Sequence, residues 1–117
     1  MSSNFYAMIV LLATSVIMHG QSLHDAAAFG DHYSLMKSLP YKNPNCLNSL
    51  GSTPLHLAAS LGNWKTMFLL LAYHADPCIR NKRNVMPIDC VKTKGIVNGR
   101  WLHPGYRRCY ELLKNYQ

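Results

Sequence analysis

The chain has 117 residues, twelve Lys and Arg against five Asp and Glu, and a formal net charge of +7. This length predicts one domain. The acidic residues are dispersed, and no nucleophile elbow, glycine-rich phosphate loop or nucleotide fingerprint is present. The six histidines and four cysteines form no CxxC or HxxxH pattern. The sequence therefore predicts no enzyme, metal site or cofactor.

The N-terminal segment is apolar and lacks charged side chains. Residues 1–21 contain no Lys, Arg, Asp or Glu, and residues 5–18 form an apolar stretch of fourteen residues. Such a stretch is too short for a stable membrane span and is typical of a signal peptide, with cleavage before Leu23 or after Gly20. We interpret residues 1–22 as a signal peptide and expect a secreted protein. An apolar helix that packs as a cap, in a cytoplasmic or nuclear protein, and a membrane anchor stay open.

The central segment has the clearest pattern, because residues 53–59 read TPLHLAA and Gly62 follows. Thr53 suits a helix N-cap, Pro54 the first helical position, and Gly62 the left-handed residue that ends a helix. Residues 64–73 predict a second helix. Its apolar stripe consists of Met67, Leu70 and Leu71, widened by Phe68 and Leu69.

Two altered copies of this motif flank it. Residues 86–91 read MPIDCV and precede Gly95 as the central motif precedes Gly62, and residues 23–31 align with 55–63. A fixed period of about 33 residues indicates a repeat protein. We predict three units at 23–50, 51–83 and 84–116, with an insertion within 96–105 that Asn-Gly and Pro-Gly mark as a loop.

The outer units are less regular than the central one. In the first unit, Leu35, Met36 and Leu39 predict the apolar stripe of the second helix. In the third, Met86 replaces the capping Thr and Asp89 replaces His, which predicts a weaker first helix. The third unit is expected to close with a helix over 106–116.

Residues 51–83 resemble an ankyrin repeat in the TPLHLAA run, in Gly51 and Gly62, in the LLL run at 69–71 and in the ADP run at 75–77. The resemblance implies an all-α solenoid of helix-turn-helix units joined by short hairpin connections. It also implies that His56, and by position His24, form structural hydrogen bonds at the hairpin bases. His74 stands where the family usually has Gly, so we expect it in the left-handed region.

The cysteines occupy repeat positions. Cys46 and Cys78 are equivalent residues of adjacent units. Packed helices lie about 8–10 Å apart, whereas a disulfide needs Cα atoms within about 7 Å. We expect free thiols that are buried or half-buried, with Cys90 facing the core and Cys109 on the closing helix. Disulfides remain the alternative.

The family resemblance implies a non-catalytic module that binds a protein through its hairpin tips and the concave side of the first helices. The positions that correspond to this surface are Phe29, Leu50, Ser52, Ser60, Leu61, Lys82, Arg83, Val85 and Lys94. The set is apolar at one end and basic at the other. We therefore expect an acidic or mixed acidic and apolar protein partner, and a monomeric chain.

The C-terminal third is strongly basic, with nine Lys and Arg after residue 77 against Asp89 and Glu111. The alternative function is accordingly a binder of nucleic acid or of an anionic surface, although motifs that read bases are missing. Trp101, beside Arg100 in the insertion, is a further candidate contact residue. The other interpretation is that Trp101 folds back to cover the third unit.

Overall fold

The structure, a computed structural model, describes residues 22–116 and consists mainly of helices. The predicted segment 1–22 lies, except for Ser22, outside the described residues. The elements are α1 (Leu23–Phe29), α2 (His32–Ser38), α3 (Pro54–Leu61), α4 (Trp64–Ala72), α5 (Pro87–Gly95), β1 (Ile96–Val97), β2 (Arg100–Trp101), α6 (Pro104–Leu113) and a 3₁₀ turn (Lys114–Tyr116). The helices form three pairs, which confirms the predicted helical repeat fold.

The first helices α1, α3 and α5 pack in series, and so do the second helices α2, α4 and α6. Each helix pair contributes to one continuous core, which includes Leu35, Leu55, Met67, Leu70 and Val91. Serial packing is the expected arrangement of a repeat protein, in which each unit buries its apolar face against its neighbours. Across 22–116, no helix has the length and apolarity required to cross a membrane.

Local sequence explains where the helices of the first two units begin and end. The Thr53 hydroxyl accepts the His56 amide at 3.3 Å, and the Ser22 hydroxyl caps α1 in the same way. Gly30 and Gly62 end α1 and α3 with φ of 66°. A left-handed residue at this position satisfies the last helical carbonyls and reverses the chain towards the second helix.

Two predicted core residues face solvent instead. Met36 is 58% exposed and Phe68 is 59% exposed, whereas Leu35, Leu39 and Met67 are buried. Adjacent helical residues point about 100° apart, so a residue beside a core position turns towards water. The predicted stripes were wrong at these two positions, because a single helix pair leaves one broad face of its second helix uncovered.

The third unit begins with a full helix. α5 has nine residues against eight in α3, so its length shows none of the predicted weakening. The Asp89 carboxylate accepts the Met86 amide at 3.0 Å and replaces part of the missing cap. Gly95 is the last residue of α5 rather than a left-handed residue. A Cβ there would lie 2.6 Å from the Tyr106 side chain, so this Gly permits α6 to approach.

The insertion is more ordered than the predicted loop. β1 and β2 form an antiparallel hairpin in which Ile96 pairs with Trp101. Asn98 and Gly99 form its turn with φ of 51° and 74°, the pair of positive values that favours a two-residue hairpin. α6 starts at Pro104, two residues before the predicted helix, and a 3₁₀ turn follows its last residue, Leu113.

Candidate protein-binding surface

Two hairpin tips, 48–51 and 81–84, are built alike. The Asn48 side chain accepts the Leu50 and Ser52 amides, each at 3.0 Å. The Asn81 side chain accepts the Arg83 amide at 2.9 Å and the Val85 amide at 3.1 Å. Neither asparagine is among the residues predicted from the sequence, although an Asn recurs there with the repeat period. These bonds fix the tip backbones, and Leu50 and Arg83 project from equivalent positions.

Histidines of the first helices hold the tips in place. Nε2 of His24 lies 2.7 Å from the Ser52 carbonyl oxygen, and Nε2 of His56 lies 2.7 Å from that of Val85. Nδ1 of His56 accepts the Thr53 amide, so Nε2 carries the proton and donates. Burial lowers the pKa of His56 below its ordinary value. The structural role expected for both histidines is confirmed.

The tips also contact each other. The Lys82 amide donates to the Leu50 carbonyl at 3.0 Å, and the Asn81 side-chain amide donates to the Ser52 hydroxyl at 3.1 Å. Ser52 is therefore buried, unlike the other candidate contact residues. The chain turns back into the stack directly after the tip, and this withdraws the Ser52 side chain from the surface.

Val85 and Ser60 are half-buried, and their backbone carbonyls form hydrogen bonds within the chain. The Val85 carbonyl accepts the bond from His56, and the Ser60 carbonyl accepts the Tyr106 hydroxyl at 2.8 Å. Both bonds connect neighbouring units. The backbone carbonyls of these two residues are therefore already engaged within the chain.

Three of the candidate residues form what we term the helix-end row. Phe29 and Leu61 are the last residues of α1 and α3, and Lys94 is the penultimate residue of α5. Phe29 is 69% exposed, Leu61 is 49% exposed, and Lys94 is also exposed. Leu50 and Arg83, both exposed, form a second series that we term the tip row, with the exposed Lys82 beside it. The structure thus places Phe29, Leu61 and Lys94 near the C-terminal ends of the first helices, and Leu50, Lys82 and Arg83 in the tips that precede those helices.

Trp101 packs back onto the third unit. Its ring centroid lies 5.5 Å from that of Tyr110, and the Lys92 ammonium lies 6.0 Å from the centre of the Tyr110 ring. The side chain is half-buried. Of the two interpretations of Trp101, this contact matches the one in which the indole covers the third unit.

All four cysteines are free thiols. Cys109 is buried, and desolvation raises its pKa to about 12. Cys46 and Cys90 are half-buried, so Cys90 faces the core only in part. Cys78 is exposed, contrary to expectation, because it lies in a turn where the Asp76 carboxylate accepts its amide at 2.8 Å. Within 22–116, no three His, Cys, Asp or Glu side chains lie close enough together to hold a metal ion.

The basic side chains spread over several elements of the C-terminal half. The Arg108 guanidinium lies 4.7 Å from the centre of the Trp64 ring, and the Lys65 ammonium lies 5.8 Å from that ring. These cation–π contacts lie on the second helices α4 and α6, away from the tips. An exposed ion pair joins Lys114 to Glu111, and such pairs contribute little to stability.

Comparison with known proteins agrees with this architecture. The family model described as an ankyrin repeat matches residues 50–82. The chain is 36% identical over 74 residues to the BTB/POZ domain and ankyrin repeat-containing protein NBCL of Lupinus angustifolius, covering 56% of this chain and 15% of that protein. It is 33% identical over 95 residues to human oxysterol-binding protein-related protein 1, covering 79% of this chain and 10% of that protein.

A third relative, human ankyrin repeat domain-containing protein 29, is 45% identical over 47 residues, which cover 40% of this chain and 16% of that protein. The chain spans about a sixth or less of the length of these relatives. Ankyrin repeats are, in general, non-enzymatic modules that bind other proteins. From the helix pairs, the repeated tips and these matches, we conclude that the chain contains an ankyrin repeat at residues 50–82 and has an ankyrin-like helical repeat fold.

Proposed function

We propose that this chain binds a protein whose contact surface is partly apolar and partly acidic, through the helix-end row and the tip row. The proposal rests on the exposure of Phe29 and Leu61, which occupy the repeat position that Lys94 occupies in the third unit. Burying a side chain such as Phe or Leu contributes about 1.5–3 kcal/mol. Transfer of these two exposed side chains from water into a protein interface is therefore favourable.

Three cations, two in the tip 81–84 and one on α5, make one end of the surface positive. Lys82, Arg83 and Lys94 are exposed, and the structure shows no ion pair for any of them within 22–116. Complementary charge accelerates encounter and fixes orientation more than it adds affinity. The hydrogen-bonded tips support the same proposal, because a preorganised surface loses little conformational entropy on binding.

Site-specific photo-crosslinking in the native cells tests the proposal. A photoreactive amino acid at position 61 is expected to capture one protein reproducibly, whereas the same group at position 68 is not. Phe68 is a matched control, because it is 59% exposed but lies on α4. The captured protein should also lose binding to the Leu61→Ser variant and retain binding to Phe68→Ser. Equal capture at both positions would contradict the proposal.

A salt titration separates this function from the binding of an anionic surface. The cluster of cations at Trp64 supports the binding of an anionic surface, since Lys65 and Arg108 both lie over the Trp64 ring. Affinity for polyphosphate or DNA should fall linearly with the logarithm of salt concentration, with a slope set by the number of phosphates contacted. An apolar protein contact at Leu61 should change little. A steep slope together with indifference to Leu61→Ser would favour the anionic surface.

Secretion through a signal peptide at residues 1–22 remains a proposal and rests on the sequence alone. The intact mass of the protein in its native cells tests it. A mature chain that starts at Gln21 or Leu23 supports entry into the secretory pathway. Retention of Met1 or Ser2 would contradict secretion and favour a cytoplasmic or nuclear partner.

A further inference from the structure

Both rows change from apolar to basic residues along the stack, towards the third unit. In the helix-end row, Phe29 and Leu61 of the first two units give way to Lys94 of the third. In the tip row, Leu50 precedes Arg83. The rows lie at opposite ends of the first helices and have separate local sequences. Their agreement means that two separate series of positions, and not one, pass from apolar to cationic along the stack.

A line of equivalent residues lies between the two rows. Asp25, Leu57 and Cys90 occupy one repeat position, on α1, α3 and α5. Asp25 is exposed, whereas Leu57 and Cys90 are half-buried. An acidic group placed over the first unit would meet the Asp25 carboxylate, which disfavours the reversed orientation of an acidic ligand.

The stacking distance sets the spacing of the groups to be recognised. Packed helices lie about 8–10 Å apart, so successive members of the helix-end row are separated by roughly that distance. A helical ligand presents the same face again after seven residues, or about 10.5 Å. A polyproline II segment does so after three residues, or about 9.3 Å. A β-strand repeats its face at about 6.6 and 13 Å, which fits less well.

We infer that this surface takes a peptide segment that presents two apolar side chains followed by an acidic one, each about 10 Å from the last. The apolar side chains contact Phe29 and Leu61, and the acidic side chain pairs with Lys94, while Arg83 in the tip before α5 adds to the positive charge at this end of the surface. The segment therefore binds in one direction only, with its acidic end over the third unit. This inference rests on the proposed function and specifies the chemistry of its partner.

The inference can be tested by selection from a displayed library of random peptides, with the full chain as bait. The peptides have about 20 residues, which is long enough for a helix of about 30 Å. Enriched peptides should carry two apolar residues and then Asp or Glu. These residues should be seven positions apart in a helical ligand, or three positions apart in a polyproline II ligand. The double variant Lys94→Glu with Arg83→Glu should instead select Lys or Arg at that position, with the apolar residues unchanged. For one selected peptide, we expect affinity for the double variant to fall at least tenfold, which is about 1.4 kcal/mol.

Lys65→Glu is the control, because it reverses one charge, against two in the double variant, at an exposed residue of α4. It should leave the selected sequences unaltered. Circular dichroism of each variant checks that the helices persist. A photoreactive group at the acidic end of a selected peptide should label the third unit, and the label can be located by peptide mapping.

Different results would contradict this inference alone, or the proposed function as well. Peptides that require Leu61 but show no acidic position, or that keep Asp or Glu after the charge reversal, would overturn the inference and leave the proposed function intact. Labelling of the first unit by the acidic end would do the same. A selection in which no enriched peptide depends on Leu61 would overturn both.

Discussion

His56 of the second unit and Val85 of the third are joined by a hydrogen bond in which Nε2 donates to the carbonyl oxygen at 2.7 Å. The other ring nitrogen accepts the amide of Thr53 at 3.0 Å. One buried imidazole therefore satisfies the start of its own helix and the base of the next hairpin tip. The repeat period of the sequence becomes a physical link between units at this residue.

The His56→Ala variant should be strongly destabilised. It leaves the buried Thr53 amide without its partner and removes one of two donors to the Val85 carbonyl, which also accepts the Asn81 amide. Loss of a partner for a buried polar group costs about 1–3 kcal/mol. We expect the free energy of unfolding in urea to fall by about 2–4 kcal/mol. His24→Ala is the control, because His24 makes the equivalent bond from a half-buried position in the first unit. A smaller loss for His56→Ala than for His24→Ala would contradict this role.

Stability should decrease in mild acid. Burial lowers the pKa of His56 below the ordinary value of 6.5, so the unfolded chain takes up this proton more readily than the folded one. The free energy of unfolding should therefore fall as the pH drops through 6.5, and keep falling until the pKa of the folded state is passed. Urea titrations across this range measure the effect. The His56→Gln variant should show a shallower dependence, and an unchanged slope would contradict the assignment.

Gly62 should tolerate no side chain. Its φ of 66° is unfavourable for other residues, and a Cβ would lie 2.7 Å from the His103 ring and 3.0 Å from Tyr106. We expect Gly62→Ala to lower the free energy of unfolding by about 2–4 kcal/mol, from backbone strain and overpacking together. Gly99→Ala separates these causes, since Gly99 has φ of 74° with no atom within 4 Å of the added Cβ. It should cost only about 1–2 kcal/mol.

Replacement of His74 by Gly should stabilise the protein. His74 follows α4 with φ of 68° and is exposed, so its side chain gains little from packing. Relief of the left-handed conformation should raise the free energy of unfolding by about 1 kcal/mol. The control is Ala72→Gly, at the exposed last residue of α4, which should lower it by about 0.5–1 kcal/mol. Urea denaturation of both variants provides the comparison, and a loss of stability in His74→Gly would contradict the prediction.

The thiols should differ widely in reactivity. Cys78 is exposed, whereas Cys109 is buried and has its pKa raised to about 12. Iodoacetamide at about pH 8 should therefore modify Cys78 first and Cys109 last, because the thiolate is the reactive form. Mass spectrometry of timed samples measures the order. In concentrated urea the difference should disappear, and rapid labelling of Cys109 in the folded protein would contradict its burial.

The elements that depend on local chemistry could be predicted from the amino-acid sequence. Thr53, Pro54 and Gly62 fix a helix start and end through a cap, a preset φ and a left-handed residue, and these bounds agree with the structure. The repeat period placed Phe29, Leu61 and Lys94 at equivalent positions, and the structure confirms that they lie at the ends of successive first helices.

Which residues face water depends instead on contacts between the units, and these are visible in the folded structure alone. Ser52 and Leu50 lie two residues apart in the sequence, yet one is buried by the next tip and the other is exposed. Gly95 matches the helix terminator Gly62 in the repeat pattern, but its lack of a side chain serves the contact with Tyr106. Trp101 lies in an insertion outside the repeat pattern and finds cover against Tyr110. Exposure depends on packing between units, and a local pattern encodes only the conformation within each one.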